Sequence, residues 1–141
     1  MNILLLNGVN LNLQGTREPA VYGSLSFGDF LEQLQKKYSF LTIDYFQSNE
    51  EPTLVEHIQQ SENKHDGIIL NAGAFTHTSI AIADAVRSVC VPVVEVHISN
   101  VFARESYRKK SYLTEVCRGS ICGFGLDGYR LAIESFLKSE W

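Results

Sequence analysis

The residues best suited to chemistry sit inside an apolar run, Val94–Ser99, which reads VEVHIS. Glu95 and His97 alternate there, so in a strand both side chains point to one face. A carboxylate buried in such a run is rare unless it is paired. The pair can be a satisfied core contact. It can also be a carboxylate that orients an imidazole for general acid–base work. Its place at the carboxyl end of a strand favours the second reading.

A polar segment near the start, Asn7–Gly23 (NGVNLNLQGTREPAVYG), adds Asn10, Arg17 and Tyr22. A free phenol with pKa ~10 is only about 0.1% ionised at neutral pH. Use of Tyr22 as a base calls for about 4 kcal/mol of selective phenolate stabilisation. A nearby guanidinium is the usual source, and Arg17, Arg104 and Arg108 are available. A third segment, Asn71–Ser79 (NAGAFTHTS), can form a capped turn. It can also form a polar cradle in which Asn71, His77 and backbone N–H groups meet oxygen-rich substrate groups. Gly73 permits close backbone approach, and Thr76, Thr78 or Ser79 can cap the helix that follows.

Other motifs carry less. GFGLDG places Gly123, Gly125 and Gly128 at dinucleotide-loop spacing, but too little chain follows for a second strand and its acidic residue. A tight strand-to-helix turn explains it. His57, His65, His77 and His97 show no metal-ligand spacing, and His57 and His65 read as helix-surface residues. Cys90, Cys117 and Cys122 form no C-x-x-C pair and read as buried structural thiols in a reducing compartment. None of the lysines lies in an apolar strand that would depress its pKa for Schiff-base chemistry.

The elements that position these residues follow from periodicity. Short apolar runs at Ile3–Leu6, Leu41–Phe46, Gly67–Leu70, Val91–Ile98 and Ser120–Phe124 mostly lack alternation, as strands buried on both faces do. Helical spacing lies between them. Phe27, Phe30, Leu31, Leu34 and Tyr38 share a face behind a Ser26 cap. Leu54, Val55 and Ile58 follow Pro52. Ile82, Ala85, Val86 and Val89 precede Pro92, and Tyr129, Ala132, Ile133, Phe136 and Leu137 close the chain. The expectation is α/β: a flavodoxin-like, doubly wound, five-stranded parallel sheet of order 2-1-3-4-5, with helices on both faces. Ligands bind beyond the carboxyl ends of such strands. The long connections Asn7–Leu25 and Ser99–Gly119 read as functional lids.

The bulk figures agree. A chain of 141 residues is one domain, 1–141. Hydrophobic residues make up 45% and charged residues 20%, an ordinary globular mixture. A net charge of −4 disfavours nucleic-acid or anionic-membrane binding. Arg104, Arg108, Lys109, Lys110 and Arg118 cluster in one segment, which suits a small anionic ligand. The start, MNILLLNG, is too short an apolar run for a signal peptide or a membrane span, and the expected location is the cytoplasm. A non-catalytic flavodoxin-like binding module would need a serine- or threonine-rich phosphate loop after the first strand. A receiver domain would need acidic residues there. Asparagines stand there instead.

Four segments together, NGVNLNLQGTREPAVYG, NAGAFTHTSIAIADA, VEVHISNVFARESYRKKSYLTEV and GSICGFGLDGYRLAIE, resemble type II 3-dehydroquinate dehydratase nearly end to end. The resemblance implies reversible dehydration of 3-dehydroquinate to 3-dehydroshikimate through an enolate, in the shikimate route to chorismate and aromatic amino acids, with no metal or organic cofactor. It implies Tyr22 as the base, Arg17 as the cation beside the phenolate, and Asn10 as the holder of a water against the enolate oxygen. His97 becomes the general acid and Glu95 its orienting carboxylate. Asn71, His77, Ile98, Ser99 and Arg108 become substrate contacts, with backbone N–H groups at 98 and 99 on the carboxylate. Asp84 would reach a neighbouring subunit's site, and the assembly would be a homo-oligomer of trimers, four to a dodecamer. Val9 stands where the family pattern has proline, which implies a looser loop before Asn10.

Overall fold

The computed structural model describes residues 1–15 and 25–138. Arg17 and Tyr22 lie outside the described residues. Five strands form one sheet: β1 (Asn2–Asn7), β2 (Thr42–Gln47), β3 (Gly67–Asn71), β4 (Val93–His97) and β5 (Gly119–Cys122). All pairings are parallel and the order is β2-β1-β3-β4-β5, as expected. Three helices connect strands, α1 (Phe27–Lys37), α2 (Glu51–Gln60) and α3 (Ile80–Ser88), and α4 (Asp127–Leu137) follows β5.

Each helix begins where the sequence supplies a start signal. Ser26 Oγ accepts from the Asp29 N–H at 3.1 Å and caps α1, and Ser79 Oγ accepts from the Ile82 N–H at 2.9 Å and caps α3. Such caps satisfy donors that the first turn leaves open, at about 1 kcal/mol each. Pro52 occupies the first turn of α2, where its missing N–H costs nothing.

Strand alternation divides the core in two. Ile3, Leu5, Ile69, Val94 and Val96 pack against Phe27, Leu34, Tyr129, Ile133 and Phe136 of α1 and α4. Leu4, Leu6, Ile68, Leu70 and Val93 pack against Leu54, Ile58, Ile82 and Val86 of α2 and α3. By the same alternation Asn7 and Asn71 face α4, whereas Glu95 and His97 face the other layer.

Three expectations are corrected. The connection after β4 is no bare lid: it holds two 3-10 turns, Val101–Ala103 and Ser106–Lys109, and Leu113 is 0% exposed in the second core. Single anchors such as Val101 and Leu113 leave no periodic trace. His65 is not on a helix surface. It is buried between α2 and β3, with Nε2 3.0 Å from Asp44 Oδ2. Cys90 is exposed, and Cys117 and Cys122 are only partly buried. Cys90 falls in the turn after α3, beyond the buried face. Among the described residues, no helix is long and apolar enough to cross a membrane.

Candidate active site

The carboxyl ends of β1, β3 and β4 frame a pocket. The strand order reverses beside β1 and β3, which is where an open α/β sheet binds its ligand. Asn10, Asn71, His77, His97, Ile98, Ser99 and Arg108 all line this pocket, so seven expected site residues are brought together. Gln14 and Arg104 line it as well. Asp84 does not. It sits exposed on α3, where Arg87 Nη1 approaches its Oδ1 at 3.2 Å.

Asn10 adopts a left-handed conformation, φ 68°, which asparagine tolerates better than most residues. Its N–H donates to Asn49 Oδ1 at 2.9 Å, and the Gly8 N–H donates to the Asn71 carbonyl at 2.7 Å. Gln47 Nε2 donates to the Gly8 carbonyl at 3.2 Å. These three bonds tie down the turn around Val9, so proline is not needed to order it. The strand ends meet so closely that a Cβ on Gly8 would lie 2.3 Å from the Ala72 carbonyl oxygen. Gly73, at φ +61°, carries the matching turn after β3.

Asn71 is 3% exposed. Its Nδ2 donates to the Tyr129 hydroxyl at 2.8 Å, and its Oδ1 accepts from the Gly73 N–H at 3.2 Å. The Tyr129 hydroxyl donates in turn to Asn7 Oδ1 at 2.8 Å. Burial pushes the Tyr129 phenol well above its usual range, against the opposing bond from Asn71. It therefore stays a neutral donor and acceptor under this wall of the pocket.

On the other sheet face Glu95 is 0% and His97 7% exposed. His97 Nε2 lies 2.8 Å from Glu95 Oε1. Ser111 Oγ donates to the same Oε1 at 2.8 Å, and Thr114 Oγ1 donates to Oε2. Burial pushes the Glu95 pKa up. The bond and charge of His97 and the bonds of Thr114 and Ser111 outweigh it, so the carboxyl titrates below its ordinary value. Burial, with the Glu95 charge, pushes the Cys117 thiol up to about 12, which makes it a neutral neighbour.

His77 faces His97, ring centroids 6.3 Å apart. Its Nδ1 lies 2.6 Å from the Lys110 carbonyl. A carbonyl only accepts, so Nδ1 carries the hydrogen and Nε2 is the acceptor. Arg108 Nε donates to Glu105 Oε2 at 2.9 Å, which steadies the guanidinium at the rim. Arg104 Nη1 donates to Ser99 Oγ at 3.3 Å. Among the described residues, no group of three or more His, Cys, Asp or Glu side chains could hold a metal.

Sequence reasoning missed Ser111, Thr114 and Tyr129. A signal existed for the first two. A buried carboxylate wants more donors than one imidazole supplies, and S-x-x-T is a ready source in the adjoining loop.

The family model "Dehydroquinase class II" matches residues 1–137. A 3-dehydroquinate dehydratase of Prochlorococcus marinus (strain MIT 9301) is 50% identical over 139 residues, covering 97% of this chain and 95% of the relative. A type II dehydroquinase crystal structure from Butyrivibrio crossotus superposes with a TM-score of 0.94 at 40% identity, covering 98% of each chain. The corresponding structure from Propionibacterium acnes gives a TM-score of 0.90 at 37% identity, covering 95% of this chain and 94% of that one.

Proposed function

The chain belongs to the class II dehydroquinase family and catalyses dehydration of 3-dehydroquinate to 3-dehydroshikimate in the shikimate pathway, and from that premise we propose how its residues divide the work. Tyr22, as phenolate beside Arg17, removes the proton alpha to the ketone. The electron pair moves onto the ketone oxygen, and an enolate forms. Asn10 holds a water against that oxygen, and Arg17 opposes the developing charge. His97 protonates the hydroxyl beta to the ketone as the C–O bond breaks. The enolate collapses to the enone and water leaves. Asn71, His77 and Arg108 bind the ring hydroxyls, and the N–H groups of Ile98 and Ser99 hold the carboxylate.

The observation that carries this reading is the Glu95–His97 pair, 2.8 Å apart, whose His97 lines the pocket together with Asn10, Asn71, His77 and Arg108. An acid held by an ionised carboxylate suits a step that expels hydroxide equivalents at neutral pH. We further propose that residues 1–141 act as one catalytic domain in the cytoplasm, without cofactor. Trimers, four to a dodecamer, would bring Asp84 of each copy to a neighbour's pocket. The exposed position of Asp84 on α3, away from its own pocket, supports that arrangement.

Turnover is followed by the ultraviolet absorbance of the conjugated product. His97→Ala should lower kcat by about 10²-fold or more, the usual worth of a positioned acid. A kcat within a few-fold of wild type would overturn the assignment.

A further inference from the structure

We infer that Ser111 and Thr114 are positioning residues for the dehydration. Their hydroxyls lock the Glu95 carboxylate as an acceptor in one orientation. That fixes a hydrogen on His97 Nε2 and leaves Nδ1 as the ring nitrogen that delivers the leaving-group proton. The inference rests on the reading of His97 as the general acid.

The hydrogen assignments follow from counting lone pairs. Ser111 Oγ accepts from the Leu113 N–H and the Thr114 N–H, each at 3.0 Å. A hydroxyl oxygen has two lone pairs, so both are used. Its own hydrogen is left to point at Glu95 Oε1, 2.8 Å away. Oε1 is therefore an acceptor. His97 Nε2 approaches that same oxygen at 2.8 Å, so Nε2 must bring the hydrogen. Thr114 Oγ1 occupies Oε2. The carboxylate is held at both oxygens and has no freedom to turn from the imidazole.

The turn that carries the two hydroxyls is itself anchored. Leu113, between them, is fully buried in the core against α2 and α3. The Tyr112 N–H donates to the Thr76 carbonyl at 3.0 Å. The clamp is thus in place before substrate arrives, and no reorganisation is needed when His97 gives up its proton.

Other ionisable groups surround His97. His77 faces it from the turn after β3. Arg104 and Arg108 share its pocket from the turns after β4. Lys109, Lys110 and Cys122 of β5 line the hollow behind it, and Cys117 lies near Glu95.

The test uses the full chain with 3-dehydroquinate. Thr114→Val keeps the shape and removes one donor. Its kcat should fall about tenfold, as for one lost hydrogen bond to a charged group, with KM within about twofold. Thr114→Ser restores the hydroxyl and should recover kcat. A folded Thr114→Val enzyme with unchanged kcat overturns the inference, as does one in which KM rises while kcat holds. Histidine ¹⁵N spectra of the wild type give an answer even where the variant does not fold: hydrogen on Nε2 of neutral His97 supports it, hydrogen on Nδ1 alone overturns it. An inactive His97→Ala beside an unaffected Thr114→Val defeats the clamp alone. A fully active His97→Ala defeats the reading beneath it.

Discussion

Deletion of one oxygen, in Tyr129→Phe, tests whether the pocket wall depends on a buried polar network. The Tyr129 hydroxyl joins Asn7 Oδ1 and Asn71 Nδ2, each at 2.8 Å. Tyr129 and Asn7 are 0% exposed and Asn71 is 3%, so no solvent replaces the lost partner. Each buried polar atom left unpaired costs about 1–3 kcal/mol. Two such atoms, less the cost of burying the hydroxyl itself, give a loss of about 2–4 kcal/mol. For a chain of this size 1 kcal/mol moves Tm by roughly 2–4 °C, so Tm should drop by roughly 4–16 °C. Tyr38→Phe is the control. Its hydroxyl donates to Glu134 Oε1 at 2.6 Å, but Glu134 is only half-buried and can turn to water, so a fall of under about 4 °C is expected. Thermal unfolding by circular dichroism at one fixed protein concentration reads both, since any self-association would make Tm concentration-dependent. A Tyr129→Phe melt no lower than that of Tyr38→Phe would refute the reasoning, since it would mean the two asparagines find other partners.

Three further outcomes are expected. Tyr22→Phe should abolish turnover with the circular dichroism spectrum intact, and Arg17→Ala should lower kcat far more than it raises KM, since both act on the transition state; near-normal turnover in either variant counts against its role. Glu95 has a folded pKa below the ordinary value of about 4.5, so its contribution to stability is complete above that pH and is lost as pH falls through the folded pKa. The urea stability of wild type relative to Glu95→Gln should therefore shrink from pH 6 towards pH 3, and a constant difference would exclude the linkage. Gly8→Ala would set a Cβ 2.3 Å from the Ala72 carbonyl oxygen, backbone against backbone; soluble protein with wild-type Tm and KM would show that the two strand ends can part freely.

The fold was legible because its signals are local. Apolar runs, the caps Ser26 and Ser79, and Pro52 and Pro92 as punctuation define the elements, and strands buried on both faces leave only doubly wound arrangements. Much of the site was legible for a related reason: in such a sheet Asn71 and His97 can only fall at carboxyl ends. What stayed hidden depends on contacts far apart in sequence. Thr114 meets Glu95 across 19 residues and Tyr129 meets Asn71 across 58. His65 sits in a polar stretch, SENKHDG, whose composition predicts exposure; it is buried, and its ring meets Asp44 of β2 across 21 residues. Asp84 reads as a site residue only through resemblance: it stands exposed on α3 beside Arg87 and is not among the residues that line the pocket.

The division of the site between two sheet faces also bears on how the fold is specified. Asn7 and Asn71 belong to the face covered by α1 and α4, where Tyr129 meets them, and Glu95 and His97 to the opposite face, where Ser111 and Thr114 meet them. A one-residue slip of β4 would exchange the faces of every side chain on it. Val94 and Val96 would then confront the hydroxyls of Ser111 and Thr114, and Glu95 would enter the layer of Tyr129, Ile133 and Phe136, away from both of them. The bonds from Ser111 and Thr114 would be lost, at about 1–3 kcal/mol for each buried group left unpaired, on top of the apolar contacts that Val94 and Val96 give up. The donors around Glu95 thus help to exclude the wrong register: a buried carboxylate is tolerated in a central strand because Ser111 and Thr114 receive it in one placement of β4.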